Sequence, residues 1–173
     1  MPKSDGDCAR VPFRIDRMNT DDLPEVVEIE ELSHLSRWGA QGYARELALP
    51  ERSILLVARP MEAHVPRRVL GFLCSTLVLD EWHIHNLATH PNFRRQGIAR
   101  ALLLHGRAMA RERGARYALL EVRASNLPAQ RLYQQLGFYV FHRRKGYYAD
   151  PPEDALLMRC NLSETSTLEE IAP

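Results

Sequence analysis

The sequence predicts a mixed α/β fold, a central sheet with helices on its faces. Three observations carry that prediction. Segments 20–32 and 98–113 repeat their apolar residues at helical spacing, while most other apolar runs are short and bounded by turn residues. The runs 53–59, 69–79 and 81–89 follow one another with only polar connections between them, the pattern of antiparallel neighbours. The stretch 82–122 alternates strand, helix and strand, which brings two strands parallel through a right-handed crossover.

Each element has its own local reason. "VPFRIDRM" (11–18) has strand length and composition. Thr20 is placed to cap a helix starting at Asp21, with acidic residues in its first turn and an apolar stripe of Leu23, Val26, Val27, Ile29 and Leu32. A second short helix is expected over 41–47. "SILLVAR" (53–59) reads as a buried strand, "MEAHVPRR" (61–68) as a polar turn, and "VLGFLCSTLVL" (69–79) and "EWHIHNLAT" (81–89) as the next two strands. Pro91 and Asn92 make a turn. From Ile98 the spacing becomes helical and ends near Gly114. "YALLEV" (117–122) is a strand, 127–138 a helix stopped at Gly137, and "FYVFHRR" (138–144) and "DALLMRC" (154–160) the final strands. The chain reads as one domain over 11–161, with a flexible start at 1–10 and a polar tail at 162–173.

Composition narrows the class. Of 173 residues, 45% are hydrophobic and 26% charged, the balance of a soluble globular domain. The start has no apolar leader segment, and the longest apolar run, 54–58, is too short to span a bilayer, so no membrane association is expected. Cys8, Cys74 and Cys160 are odd in number and widely spaced, which forms no metal-ligand pair or disulfide framework and fits a reducing cytoplasm.

The net charge of +1 hides an asymmetry. Residues 91–145 carry 12 basic and 2 acidic side chains, whereas 1–93 carry 10 basic and 14 acidic. Such a block makes a local positive field and points to an anionic partner. Its densest part is "HPNFRRQGIARALL" (90–103), where Arg94, Arg95 and Arg100 surround Gly97 at a helix start. The first N–H groups of a helix lack partners and the macrodipole is positive there, which suits a phosphate. Gly97 lets the backbone approach a ligand closely. Neither a Walker loop nor a dinucleotide fingerprint is present.

Four motifs in order then carry a resemblance. Arg94-x-x-Gly97-x-Ala99, "HNLATHP" (85–91), "LEVRASN" (120–126) and "RLYQQLGF" (131–138) resemble the GNAT N-acetyltransferases. Within them the chain is most similar to the bacterial ribosomal-protein alanine N-acetyltransferases, the RimI subgroup, over roughly 13–161; "VLDE" (78–81) and "GYYADPPEDALLM" (146–158) also fit it. The resemblance implies a mostly antiparallel sheet of six to seven strands with a splayed parallel pair and about four helices. It implies acetyl-CoA as cosubstrate, no metal, and transfer to a protein N-terminal α-amine, that of a ribosomal protein.

It also implies site residues. Glu121 matches the general base and Tyr133 the general acid. Burial in "YALLEV" is expected to raise the Glu121 pKa and improve it as a base. Leu87, Ala88 and Thr89 would offer backbone N–H groups to the oxyanion and the pantetheine arm. Arg94, Arg95, Gln96, Gly97, Ile98, Ala99 and Arg100 would hold the pyrophosphate, and Asn126 and Tyr133 would also contact the donor. Trp38, Tyr147 and Tyr148 would bind the acceptor. Glu25, Glu28, Glu30 and Glu31 on the first helix form either an acidic surface for a basic substrate or a solvated face.

Departures from the pattern fall in the acceptor region. "SRWGAQGY" (36–43) keeps only Trp38 of the subgroup's aromatic stretch, and "RRKGYY" (143–148) has one residue more than some members. His83 and His85 share a strand face, as in arylalkylamine N-acetyltransferases, where such a pair relays protons. A metal site that includes His90 is a further reading, and no carboxylate or thiolate spacing supports it. The rival readings are therefore a small-amine acetyltransferase on the same fold and, from another class, an RNA-binding module using the basic block. The second lacks aromatic RNP runs and a GXXG loop, and no direct nucleic-acid contact is expected.

Overall fold

The computed structural model describes residues 10–62 and 64–163. The strands are β1 (Phe13–Arg17), β2 (Ser53–Pro60), β3 (Gly71–Val78), β4 (Glu81–Thr89), β5 (Tyr117–Arg123), β6 (Tyr139–Ala149) and β7 (Pro152–Asn161). The helices are α1 (Leu23–Leu32), α2 (Gly39–Leu47), α3 (Ile98–Glu112) and α4 (Leu127–Gln135), with short 3₁₀ turns at Thr20–Asp22 and Pro91–Phe93. All seven strands form one sheet in the order β1-β2-β3-β4-β5-β7-β6, in which only β4 and β5 run parallel. This is the GNAT architecture expected from the sequence.

Two apolar layers sandwich the sheet. On one side α3 and α4 cover Leu73, Trp82, Ile84, Leu120 and Met158; on the other α1 and α2 cover Val57, Phe72 and Cys74. Gly106 sets the closeness of α3, because a Cβ there would stand 2.6 Å from Leu73 and 2.7 Å from the Trp82 ring. The N-terminal edge is tied by Asp22, 1% exposed, which accepts two bonds from the Arg59 guanidinium at 2.7 and 2.8 Å. A buried bidentate pair of this kind is costly to break from one side.

Several sequence expectations move. Asn19, not Thr20, starts the first helical segment: its side chain accepts from Asp21 N–H while Asp22 reaches back to the Asn19 N–H at 2.8 Å. That reciprocal box caps a 3₁₀ turn ahead of α1. The strand expected at 138–144 runs on to Ala149, because the 146–149 segment continues pairing with β7. Leu162, assigned to the tail, is 1% exposed and packs in the core, its N–H bonded to Arg116 O. The flexible start, Cys8 and most of the polar tail lie outside the described residues.

Candidate active site

Two irregularities in the sheet create the site. Ser75 pairs with Ile84 and Cys74 with Asn86, so His85 is an extra residue in β4. Such a bulge turns the strand and exchanges its faces. Before it, Trp82 and Ile84 point toward α3; after it, Asn86 and Ala88 point toward α1 and α2. The second irregularity follows at once. The parallel pairing of β4 with β5 stops at Ile84 and Leu120, and among the described residues the β5-facing edge of His85–Thr89 has no strand partner. Leu87, Ala88 and Thr89, paired with β3 on their other edge, therefore present backbone groups to the gap.

Past the end of β4 the chain makes the turn that the motif predicts. His90 Nδ1 accepts from Asn92 N–H at 3.2 Å, and Arg94 Nε reaches back to Thr89 O at 3.4 Å. Arg95 and Gly97 take left-handed conformations, φ 65° and 82°. Nothing lies within 4 Å of where a Gly97 Cβ would stand, so this glycine serves the backbone conformation rather than packing within the chain. Gly97 offers the first turn of α3 no side-chain cap, Ile98 is buried beneath it, and Arg94, Arg95 and Arg100 are exposed. Gln96 anchors the turn through Oε1, which accepts from Val11 N–H at 3.0 Å, and its buried Nε2 has no partner among the described residues. An uncapped helix start beside a free strand edge fits a phosphate-bearing, extended donor such as acetyl-CoA.

Two cavities meet beside the gap. One, of about 560 Å³, is lined by Trp38, His83, His85, Glu121, Arg144, Tyr147 and Tyr148, among others. The other, of about 470 Å³, takes in Glu31, loop 33–37, Leu87, Glu121, Asn126, Tyr133 and Tyr148. Ser36, His85, Asn86, Glu121 and Tyr148 line both. Glu121, Tyr133, Leu87, Asn126, Trp38, Tyr147 and Tyr148 are thus brought together. Ala88, Thr89 and the 94–100 turn lie beyond the lining of the second cavity, along the open edge.

Glu121 is not buried as expected. Its side chain is 33% exposed and accepts from Arg144 Nη1 at 2.7 Å. The alternation of β5 explains this: Leu120 and Val122 face the α3 core, so Glu121 faces the cleft. The Glu121 carboxylate also acts on the neighbouring Tyr147 hydroxyl in the same cavity and raises its pKa above the usual phenol value. Arg123, adjacent in sequence, points its charge elsewhere: it bonds Glu153 and lies 4.1 Å over the Tyr148 ring. Tyr133 is 7% exposed, and burial pushes its hydroxyl well above the usual phenol range. Asn126 caps α4, its Oδ1 accepting from Ala129 N–H at 3.2 Å.

The histidines are individually engaged. His83 Nε2 lies 2.9 Å from Glu81 and His85 Nε2 lies 2.8 Å from Thr76 Oγ1, with the two rings stacked at 6.5 Å. Surrounding protein desolvates the His85 ring and, with His83, holds its pKa below the usual imidazole value. Among the described residues no group of three or more His, Cys, Asp or Glu could hold a metal ion.

The acidic face of α1 is taken apart by the structure. Glu25 accepts from the Arg68 and Val69 N–H groups, and Glu28 pairs with Arg67. Glu30 is buried, and Glu31 alone of the four is both exposed and on a cavity wall. Sequence reasoning missed Glu30, Asn86 and Arg144 as parts of the site. One signal was available: Glu30 follows Leu23 and Val26 at i+7 and i+4, in the stripe that faces inward.

The GNAT acetyltransferase family model matches residues 19–138. The chain belongs to the GNAT acetyltransferase family. A relative from Escherichia coli (strain K12), the ribosomal protein bS18-alanine N-acetyltransferase, is 34% identical over 151 residues, covering 86% of this chain and 97% of its own length. The crystal structure of the Escherichia coli ribosomal-protein-S18-alanine N-acetyltransferase superposes with a TM-score of 0.76 at 32% identity, covering 94% of this chain and all (100%) of that one. Ard1 from Thermoplasma volcanium gives 0.78 at 26% identity, with 89% of this chain and 100% of that one covered. This GNAT protein is accordingly an acyltransferase that uses acetyl-CoA. Among its described residues no helix is long and apolar enough to cross a membrane.

Proposed function

We propose that this GNAT enzyme acetylates the α-amine of a protein N-terminus, the N-terminal alanine of the small-subunit ribosomal protein bS18, by direct transfer within a ternary complex. The observation that carries this reading is the shared wall at Glu121: an amine in one cavity and a thioester entering from the other would meet at that carboxylate. The activity named for the Escherichia coli relative supports the acceptor.

The steps follow from the residues. An α-amino group has a pKa of about 7.7–8.0, so modest basicity suffices to free it. Glu121, directly or through one water, takes the proton as the amine nitrogen attacks the thioester carbon. Backbone N–H groups of Leu87, Ala88 and Thr89 stabilise the oxyanion. The C–S bond then breaks, and Tyr133, kept protonated by burial, gives its proton to the departing thiolate. The Arg94–Arg100 turn and Asn126 hold the donor, and Trp38, Tyr147 and Tyr148 hold the acceptor. Arg144 occupies Glu121 in the free chain at 2.7 Å, and its exposed position lets an incoming amine take its place.

The test is acetylation of a peptide panel read by mass spectrometry. The expected product carries acetyl on the α-amine of the alanine-initiated bS18 peptide. Because His83 and His85 line the first cavity, the competing reading is a small-amine acetyltransferase. Acetylation of arylalkylamines with no reaction at peptide N-termini would establish that reading instead.

A further inference from the structure

We infer that Glu30, working with Asn86, is the positioning residue that fixes the 33–38 loop over both cavities and thereby sets how well the acceptor is held. The inference rests on reading the Trp38–Tyr147 cavity as the acceptor site. Glu30 is 1% exposed and Asn86 2%. A buried carboxylate demands several donors, and Glu30 has them. Its Oε1 accepts from Trp38 N–H at 2.8 Å and from the Tyr43 hydroxyl at 2.7 Å, and its Oε2 accepts from Gly39 N–H at 3.1 Å. Asn86 Nδ2 donates to the Tyr43 hydroxyl at 2.8 Å and lies 3.3 Å from Ser36 O and 3.4 Å from Glu30 Oε1.

The network solves a local problem. Trp38 stands at the N-cap of α2 and has no side-chain oxygen, so α2 begins without a cap of its own. Glu30 supplies the missing acceptor from α1, and its negative charge also suits the positive end of α2. The two helices are thereby locked through the loop between them. Asn86, placed inward by the β4 bulge, ties that loop to the sheet at the point where β4 and β5 part. The consequence reaches the cavities: Ser36 lines both, and Trp38 lines the first with its ring tilted against His85 at 5.1 Å. Burial raises the Tyr43 pKa, with its bond to Glu30 as second cause, so the hydroxyl stays a donor in the network.

Residues 33–37 also line the second cavity, but most of the donor grip, the β4 edge, the 94–100 turn and Asn126, is built without them. Loss of the network should therefore affect the acceptor far more than the donor. In Glu30→Gln an amide N–H₂ must face backbone N–H groups that need an acceptor. We expect the acceptor KM to rise about 10-fold, as misplacement of a positioning wall does. The acetyl-CoA KM should change less than about threefold, and the pH profile of kcat/KM should keep its shape because Glu121 is untouched. Tyr43→Phe, which keeps the ring and removes one hydroxyl, should move the acceptor KM the same way by less, and it serves if Glu30→Gln folds poorly. Hydrogen exchange of residues 33–40, measured on the full chain, should quicken in both variants while 98–104 stays unchanged. Equal changes in both KM values, an unchanged acceptor KM, or unchanged exchange at 33–40 overturns the inference. A wild-type enzyme that acetylates no peptide N-terminus sinks the acceptor reading separately, and the exchange result still decides the role of Glu30 on the loop.

Discussion

The proposed donor grip along the open β4 edge and the acceptor cavity beside it are built in opposite ways. The donor side comes from consecutive chain: a strand edge, a turn and a helix start within 87–100, then a helix cap at Asn126. Its chemistry is mostly backbone, exposed because β4 and β5 part and because Gly97 is left-handed. The acceptor side is assembled from the 36–38 loop, β4, β5 and the β6–β7 hairpin, and its chemistry is side chains. A backbone site depends on conformation and tolerates many side chains. A side-chain site depends on long-range partners and changes with each of them. The departures from the family pattern, in 36–43 and 143–148, fall on this proposed acceptor side and outside the donor motif.

Substitutions can break this contrast. At the junction, Glu121→Gln and Tyr133→Phe should each lower kcat by about 10²–10⁴-fold, the usual worth of a positioned proton transfer. Steady-state kinetics should show the acetyl-CoA KM nearly unchanged; retained turnover in both variants would remove these residues from the chemistry. On the donor side, Gly97→Val forces a branched residue into a left-handed conformation at a cost of about 1–3 kcal/mol. The acetyl-CoA KM should rise roughly 10-fold while the acceptor KM stays put. On the acceptor side, Tyr147→Phe removes a hydroxyl from the wall of the first cavity, beside Glu121. Loss of one hydrogen bond from that hydroxyl to the acceptor, about 0.5–1.5 kcal/mol, predicts roughly a 2–10-fold rise in acceptor KM with no donor effect.

The smallest effect concerns pH. His85 has a folded pKa below its unfolded value of ~6.5, so between the two the unfolded chain binds more protons. Its contribution to stability is present above that unfolded value and is lost as pH falls through the window down to the folded one. Thermal melts of His85→Gln should lose less stability than wild type across that window. His90, also held low chiefly by burial, leaves a residual slope in both.

The same contrast explains what the sequence made legible. The donor motif is local: Arg94-x-x-Gly97-x-Ala99 needs only a strand before it and a helix after it, and both were readable from periodicity. The antiparallel succession β2-β3-β4 and the parallel β4–β5 pair are readable from connection lengths, whereas the insertion of β7 between β5 and β6 is not. Glu121 and Tyr133 are proposed through the resemblance, and the surroundings of Glu121 differ from the sequence expectation. An apolar run suggested burial, whereas strand alternation sends that one side chain to the cleft beside Arg144, 23 positions away. Glu30 looked like one of four similar glutamates, because its partners lie 8 to 56 positions distant and no local pattern announces them. The β4 bulge leaves only a small mark in sequence: in "HIHNLA" the adjacent polar residues His85 and Asn86 break the alternation, and the register with β3 shows that the strand changes face there.

The central claim is that donor and acceptor occupy adjoining cavities at the same time and that acetyl passes directly between them. Initial rates measured over a grid of acetyl-CoA and acceptor concentrations test this most directly. Direct transfer predicts double-reciprocal lines that intersect. Parallel lines, with an acetyl group trapped on the enzyme when acetyl-CoA is supplied alone, would contradict it.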